Sequence, residues 1–444
     1  MTTKKIVTDH QYSKHMANIL KNGKASDDRT GTGTRRLMGL QMRFNLQEGF
    51  PFVTTKKVSL PFIARELAWM MSGNTSQEVL KNVYKCSIWD EWADEFGRLG
   101  PVYGAMFRRR PAANIQMVEV AVDKRKGRYL TSNDANKIIR AHFSKNRGDD
   151  PAFMAWARMI RVVAESNKKV SEDKRIPEAL QRVSICQEWL DYDKFAVDFY
   201  SLPGCELVQK DNEDSWFFFT NNAGKGLFAK DTLQIVESYK HSLVMLAAVQ
   251  AYTLHEAGNY DRIIVPRFYI DQMAEAIHQL KTNRTNRRII VDAWEPSYLP
   301  KDGLDPTKQA AEGLMALAPC HCMFQFFAVP QERGQRFKLN LQLYQRSADW
   351  CLGVPYNIAF YALLMHIVAR ECDLDVGELI WTGGDCHIYS NHIETAMKQS
   401  RRKCRPLPQL ELDPSVTGLD SFSPEKAKLV NYVHGPVTTY PVAV

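Results

Sequence analysis

No stretch of this 444-residue chain reaches the ~18 uninterrupted apolar residues that a bilayer-crossing helix requires. The opening MTTKKIVTDHQYSKH has no apolar run of the kind that makes a secretory leader. A cytoplasmic protein, standing free of the membrane, is expected. Paired cysteine spacing is also missing: the nine cysteines fall at 86, 186, 205, 320, 322, 351, 372, 386 and 404, which suits neither a disulfide ladder nor a zinc knuckle. Reduced thiols and no bound metal are the expectation. Charge of one sign is scarce, since a formal net charge of +8 is a small excess over so long a chain. It favours acidic partners without choosing between a phosphorylated metabolite and nucleic acid.

What remains is ordinary globular composition, 45% hydrophobic and 24% charged, enough to bury one large core or two smaller ones. Three textures divide the chain. Residues 1–106 begin with a polar helix-like stretch, pass through the turn-rich DDRTGTGTRR, and reach a predicted strand from Gly39 to Leu46. Ile63, Leu67 and Met70 recur at helical spacing over Leu60 to Met71, and Gly73-Asn74 stops that helix, which places Glu66 near its apolar face. Residues 107–268 contain the basic segments RRRP and DKRKGR, a helical pattern around Ala152 to Ala164, and SWFFFTNNAGKGLF, which reads as a strand with a turn. With neither repeat nor low-complexity tract, this middle part is expected to be a folded insertion rather than a linker. Residues 269–444 carry a helix (Ile270 to Leu280), the strand RRIIVDAW, the strand pair CHCMFQFFAV and FKLNLQLYQRS, and a long apolar helix from Ile358 to Cys372. Strands and helices mixed without regular alternation predict an α+β fold.

Cys320 stands out because a proline precedes it and a histidine follows it at a predicted strand edge. A single buried cysteine is usually only a small apolar core residue. Four arginines change that balance: Arg29, Arg287, Arg288 and Arg346 each lie beside a turn or strand end. Guanidinium forks bind phosphate oxygens in pairs and raise the local potential, which favours a thiolate. Jointly they suggest a phosphorylated substrate attacked by sulfur.

The blocks DRTGTGT, FPFVTTKK, IWDEWADEFGRLGPVYG, RRIIVDAW, ALAPCHCMFQF, LYQRSADWCLGVPYNIAFYALL, WTGGDCHIYSNH and YPVAV, in this order, resemble the thymidylate synthase family over nearly all of the chain outside its middle part. The resemblance implies a large mixed β-sheet with flanking helices and a large inserted subdomain, and a homodimer formed through a sheet face. It implies that Cys320 adds to carbon 6 of dUMP, so that carbon 5 becomes nucleophilic towards methylenetetrahydrofolate. Arg346, Ser347 and Arg29 would hold the phosphate, joined by Arg287 and Arg288 from the partner copy. Asn357 would read the base edge, where an acid is the family's mark for cytosine. His387 and Tyr389 match the positions that bind the sugar hydroxyl, Glu66 and Tyr103 those that organise water and proton transfer. Trp89, Asp349, Leu317 and the terminal Val444 face the folate in the resemblance, and Lys56 its tail. Asp28 and Glu91 are taken as ordinary charges.

Two endings stay open. A synthase quenches the exocyclic methylene with hydride and yields dTMP and dihydrofolate; the related viral hydroxymethylases let water add and release tetrahydrofolate. Trp89, Leu317, His321 and the YPVAV tail fit the synthase. Ala105-Met106-Phe107-Arg108 stands where the family shows a Gln-Trp-Arg pattern, and Ser59 replaces its usual histidine. With the long insertion, these features favour 5-hydroxymethyl-dUMP, a precursor for modified phage DNA. In a third reading the basic insertion binds nucleic acid or a partner enzyme, but it lacks the aromatic-plus-basic spacing of such readers, so RRRP and DKRKGR are expected to be solvated basic faces.

Overall fold

The computed structural model describes residues 7–121, 127–143, 149–172, 184–209, 216–220, 227–230, 233–237 and 262–442. In chain order the first elements are helix α1 (Gln11–Asn22), strands β1 (Lys24–Ser26) and β2 (Thr34–Asn45), and helices α2 (Leu60–Met71), α3 (Gln77–Asn82) and α4 (Tyr103–Arg109). Helix α2 has the predicted bounds. Pro61 sits in its first turn, where no N–H is needed, and Gly73 leaves it at φ +76, a left-handed stop.

The middle of the chain adds β3 (Arg110–Ala121), α5 (Ser132–His142), α6 (Pro151–Glu172), β4 (Ser184–Ile185), α7 (Tyr192–Phe199), β5 (Trp216–Thr220), β6 (Leu227–Phe228), β7 (Leu233–Glu237) and β8 (Arg262–Ile270). Strands β3 and β8 pair antiparallel, Arg110 opposite Ile270, so the chain leaves and returns side by side. Between them lies a separate hydrophobic core around Trp156, Trp189, Phe195 and Trp216. The SWFFFTNNAGKGLF segment is not a self-paired hairpin: β5 pairs with β7, while β6 pairs with β4. Its turn lies outside the described residues, as does most of DKRKGR.

The last part supplies α8 (Gln272–Thr282), β9 (Ile290–Asp292), β10 (His321–Val329), β11 (Lys338–Asp349), α9 (Gly353–Glu371), β12 (Asp375–Tyr389), α10 (Ile393–Ser400), β13 (Gln409–Leu412) and β14 (Ala427–Val430). Six strands form the main sheet in the order β1-β2-β12-β11-β10-β9, a mixed sheet in an α+β fold. Within this sheet, among the described residues, only β11 and β12 run parallel. A parallel pair needs a crossover, and α9, apolar on nearly every side and almost wholly buried, provides it. Strand alternation then sorts the side chains: Leu339, Leu341 and Leu343 point into the helix-covered core, whereas Met38, Met323, Phe327 and Tyr344 lie exposed on the other face.

RRRP is not a solvated basic face. Arg108 pairs with Asp271 at 3.0 Å, and Arg110 with Glu295 at 2.7 Å and Asp292 at 3.4 Å. Arg109 is buried against Glu206 (2.6 Å) and donates to the Tyr200 carbonyl at 2.9 Å. Arg109 thereby joins the sheet core to the second core, and its buried guanidinium is tolerated because it is paired. Among the described residues, no helix is long and apolar enough to cross a membrane.

Candidate active site

Register places the predicted residues at one end of three neighbouring strands. Cys320 directly precedes β10, at a bulge where His321 lies opposite Gln345, and its carbonyl accepts from the Arg346 N–H at 2.7 Å. On the neighbouring strand Ser347 lies opposite Asp385 and Asp349 opposite His387. Gly384 permits this approach, since a Cβ there would stand 2.9 Å from the Arg346 carbonyl and 2.8 Å from the Tyr344 hydroxyl.

Cys320 is half-buried. Burial pushes its thiol above the ordinary range, while Arg346 and the Ser347 hydroxyl act in the opposite direction. The arginine therefore favours the thiolate as expected but is outweighed in the free protein, so the proton must leave as the sulfur reacts. Arg346 also braces the nucleophile's turn: Nε donates to the Pro319 carbonyl and Nη2 to the Ala318 carbonyl, both at 3.2 Å. Tyr103, the first residue of α4, accepts the Cys320 N–H at 2.8 Å. Its ring stacks on His321, with centroids 4.1 Å apart. Burial holds the tyrosine pKa high and lowers that of His321 to about 3, so Tyr103 keeps its proton and His321 stays neutral.

Glu66 comes off α2 and accepts from the Trp89 indole at 3.0 Å. Burial raises its carboxyl to about 7, the range in which a group can both give and take a proton. Trp89 lies in an aromatic cluster with Trp69, Trp92 and Tyr103, and Leu317 packs partly buried against the same core. Asn357, on the first turns of α9, has its Oδ1 held by Gln345 Nε2 at 3.0 Å; Gln345 is itself fixed by the Trp381 indole at 2.9 Å. That chain fixes the Asn357 amide orientation and directs Nδ2 away from Gln345 as a donor.

His387 is buried, and its Nδ1 faces Asp385 Oδ1 at 3.3 Å, an acid that also pairs with Arg36. Its ring lies edge-on to Tyr389, 5.2 Å away. Arg29 is exposed on the loop before β2, close enough to Tyr389 to affect its ionisation. Asp28, taken for an ordinary charge, ties that loop together: it accepts from Thr30 N (2.9 Å) and Gly33 N (2.6 Å), and Ser390 N reaches the Gly33 carbonyl. The Asp-x-Thr spacing of an Asx turn was the available signal. Gln345 was missed because Asn357 and Trp381 meet it only in the folded sheet, whereas for Asp385 the Asp-x-His spacing along one strand was the available signal.

Arg287 and Arg288 are not brought to Cys320 within one chain. The Arg287 carbonyl bonds to Gln325, five residues along β10 from Cys320, or about 16 Å at strand rise. Asp349 closes the turn that leads into α9, its Oδ1 accepting from Cys351 N and Leu352 N. Lys56 is buried, with Nζ on the Cys351 carbonyl at 2.5 Å, and burial lowers its pKa to about 8. Asp349, Cys351 and His392 have potential metal-ligand atoms within 4.8 Å of one another, but His392 Nε2 already meets the Pro441 carbonyl at 2.7 Å. Val444 lies outside the described residues.

A thiol at a sheet end beside an arginine and a serine is an arrangement suited to an enzyme of nucleophilic catalysis. The family model for thymidylate synthase matches residues 10–141 and 181–444. The chain is 31% identical to the thymidylate synthase of Francisella philomiragia over 434 residues, covering 98% of this chain and 99% of the relative. Thymidylate synthases of Francisella tularensis are 30% identical over the same span. The chain belongs to the thymidylate synthase family and is a one-carbon transferase.

Proposed function

We propose that this protein transfers the one-carbon unit of methylenetetrahydrofolate to carbon 5 of dUMP, and that water completes the reaction to give 5-hydroxymethyl-dUMP and tetrahydrofolate. The observation that carries the first half is the alignment of Cys320, Arg346, Ser347 and Asn357 at one sheet end. Cys320 Sγ adds to carbon 6 as its proton departs, with Arg346 and Ser347 stabilising the sulfur anion. Carbon 5 then attacks the folate methylene carbon, loss of the carbon 5 proton expels tetrahydrofolate and leaves an exocyclic methylene, water adds to that methylene, and Cys320 Sγ departs from carbon 6 to restore the ring double bond and release the product. Glu66, near pH 7 in its ionisation, delivers water and protons with Tyr103. Arg29, Arg346 and Ser347 hold the phosphate, Asn357 the uracil edge, and His387 with Tyr389 the sugar. Trp89, Asp349, Leu317 and Val444 border the folate. Lys56 acts beneath it, bracing the Asp349 segment.

The exposed Met38, Met323, Phe327 and Tyr344 supply an apolar face for a homodimer, and the distance of Arg287 and Arg288 from Cys320 supports their donation to the other copy's phosphate. Support for water as the quencher comes from Met106 and Phe107, fully buried on α4 where the family's pattern has Gln-Trp, and from Ser59, the residue before α2, in place of the family's histidine. A second reading, hydride transfer giving dTMP and dihydrofolate, is favoured by the C-terminal tail, whose Tyr440 is seated in the core.

Incubating the protein with dUMP and methylenetetrahydrofolate, with mass analysis of the nucleotide and absorbance of dihydrofolate, tests both. A hydroxymethyl product without dihydrofolate is expected. A methyl product with stoichiometric dihydrofolate would replace that ending with the synthase one, and an unmodified nucleotide would end the proposal.

A further inference from the structure

The C-terminal segment from Gly435 to Pro441 is tied to Thr54, Arg402, Gln399 and His392, and its exposure is uneven. Val437 and Val442 are 72% and 53% exposed, yet Tyr440 between them is only 5% exposed. A segment bounded by open valines has little reason to stay down except through the residue that is buried. Tyr440 OH donates to Gln399 Oε1 at 2.6 Å, and Gln399 Nε2 is itself tied to Thr55 at 3.0 Å. Lys56 Nζ lies 5.1 Å over the ring, and His392 meets it edge-on at 5.0 Å while donating Nε2–H to the Pro441 carbonyl. Cys351, near Tyr440 and joined through its backbone to Lys56 and Asp349, closes the seat. Upstream, Gly435 N donates to the Thr54 carbonyl, and Arg402 bridges Thr55 O and Thr438 Oγ1.

We propose that Tyr440 is a positioning residue for the folate cosubstrate: it pins the C-terminal segment to a seat formed by Lys56, Cys351, His392 and Gln399, and the same seat fixes Asp349. This rests on the folate reading above. Tyr440 touches no reacting atom and acts through the segment it holds and through Asp349. Loss of the ring should therefore weaken the cosubstrate and largely spare the nucleotide: of the residues assigned to dUMP, Tyr389 meets the seat through the edge of His392, while Cys320, Arg346 and Asn357 bond to other partners.

The test compares Tyr440→Ala and Tyr440→Phe in the full chain by two measurements. Steady-state kinetics, with either product, should show KM for methylenetetrahydrofolate raised at least tenfold in Tyr440→Ala, on the order of losing a packed, charge-facing ring. KM for dUMP should stay nearly unchanged. Tyr440→Phe, which forfeits only the Gln399 bond, should fall about fivefold short of the intact protein. Timed carboxypeptidase digestion should release the terminal residues faster in the same order. An unchanged folate KM, or equal rises in both KM values, overturns the proposal. If the intact protein fails to turn over dUMP, the folate reading falls, and the digestion alone then decides whether Tyr440 pins the segment: equal release from all three proteins means that it does not.

Discussion

The two hydrophobic cores are assembled in opposite ways. The sheet core draws on residues from Tyr12 to Tyr440 and depends on pairings such as β2 with β12, in which Tyr389 faces Thr34. The second core is built from residues 130–235, with helices and short strands near in sequence to those they touch. The site residues reside in the first. Long-range register can bring five chemically distinct side chains to one sheet end at fixed spacing, whereas a locally folded unit can be lost or changed without shifting them. One link between the two is α4, with Tyr103 at one end and Arg109 at the other.

The largest effect should come from Cys320→Ala. Product formation should fall by at least about 10⁴-fold, as expected for removal of a covalent nucleophile. Both cores should melt as in the intact protein by circular dichroism. Activity within tenfold of the original would place the chemistry elsewhere. Next is Trp156→Ala. This ring is fully buried, its indole donates to the Trp189 carbonyl at 2.8 Å, and its loss should cost the second core about 3–5 kcal/mol. Denaturant unfolding followed by hydrogen exchange should show that core opening first, with product formation retained below its transition. A single merged transition with both regions equally weakened would mean that the cores are one cooperative unit.

Glu66→Gln should have the smallest effect, about 10²-fold in rate, and should remove an inflection near pH 7 from the rate profile. It also bears on stability. The folded carboxyl holds its proton to higher pH than the unfolded one, so its contribution falls as pH rises from the ordinary carboxylate range towards 7. The glutamine variant should lose that slope. A profile unchanged by the substitution would assign the inflection to another group.

Much of this architecture was legible because local rules and tertiary packing agree. Helix α2 announced itself through Ile63, Leu67, Met70 and the Gly73 stop, and α9 through its continuous apolar run. The site's members were recognisable by motif. Their supports were not. The acids that pair with Arg108 and Arg110 are more than 160 residues away, so a run of three arginines read as solvated charge. Trp216–Thr220 has the composition of a strand, but nothing in its apolar run names β7 rather than β6 as partner. The thiol's burial was hidden for a similar reason: sequence displays the arginine that favours the thiolate, while the opposing burial depends on everything folded around it.

The pairing of Arg110 with Ile270 has a further consequence. Seen from the sheet core, everything between β3 and β8 begins and ends at a single point, as a short turn would. Loop closure grows only logarithmically with length, so the core is nearly indifferent to how much chain is threaded there. That doorway is a natural place for lineages to exchange, enlarge or delete a module, and for an engineer to graft a sensor, without renegotiating the chemistry behind it.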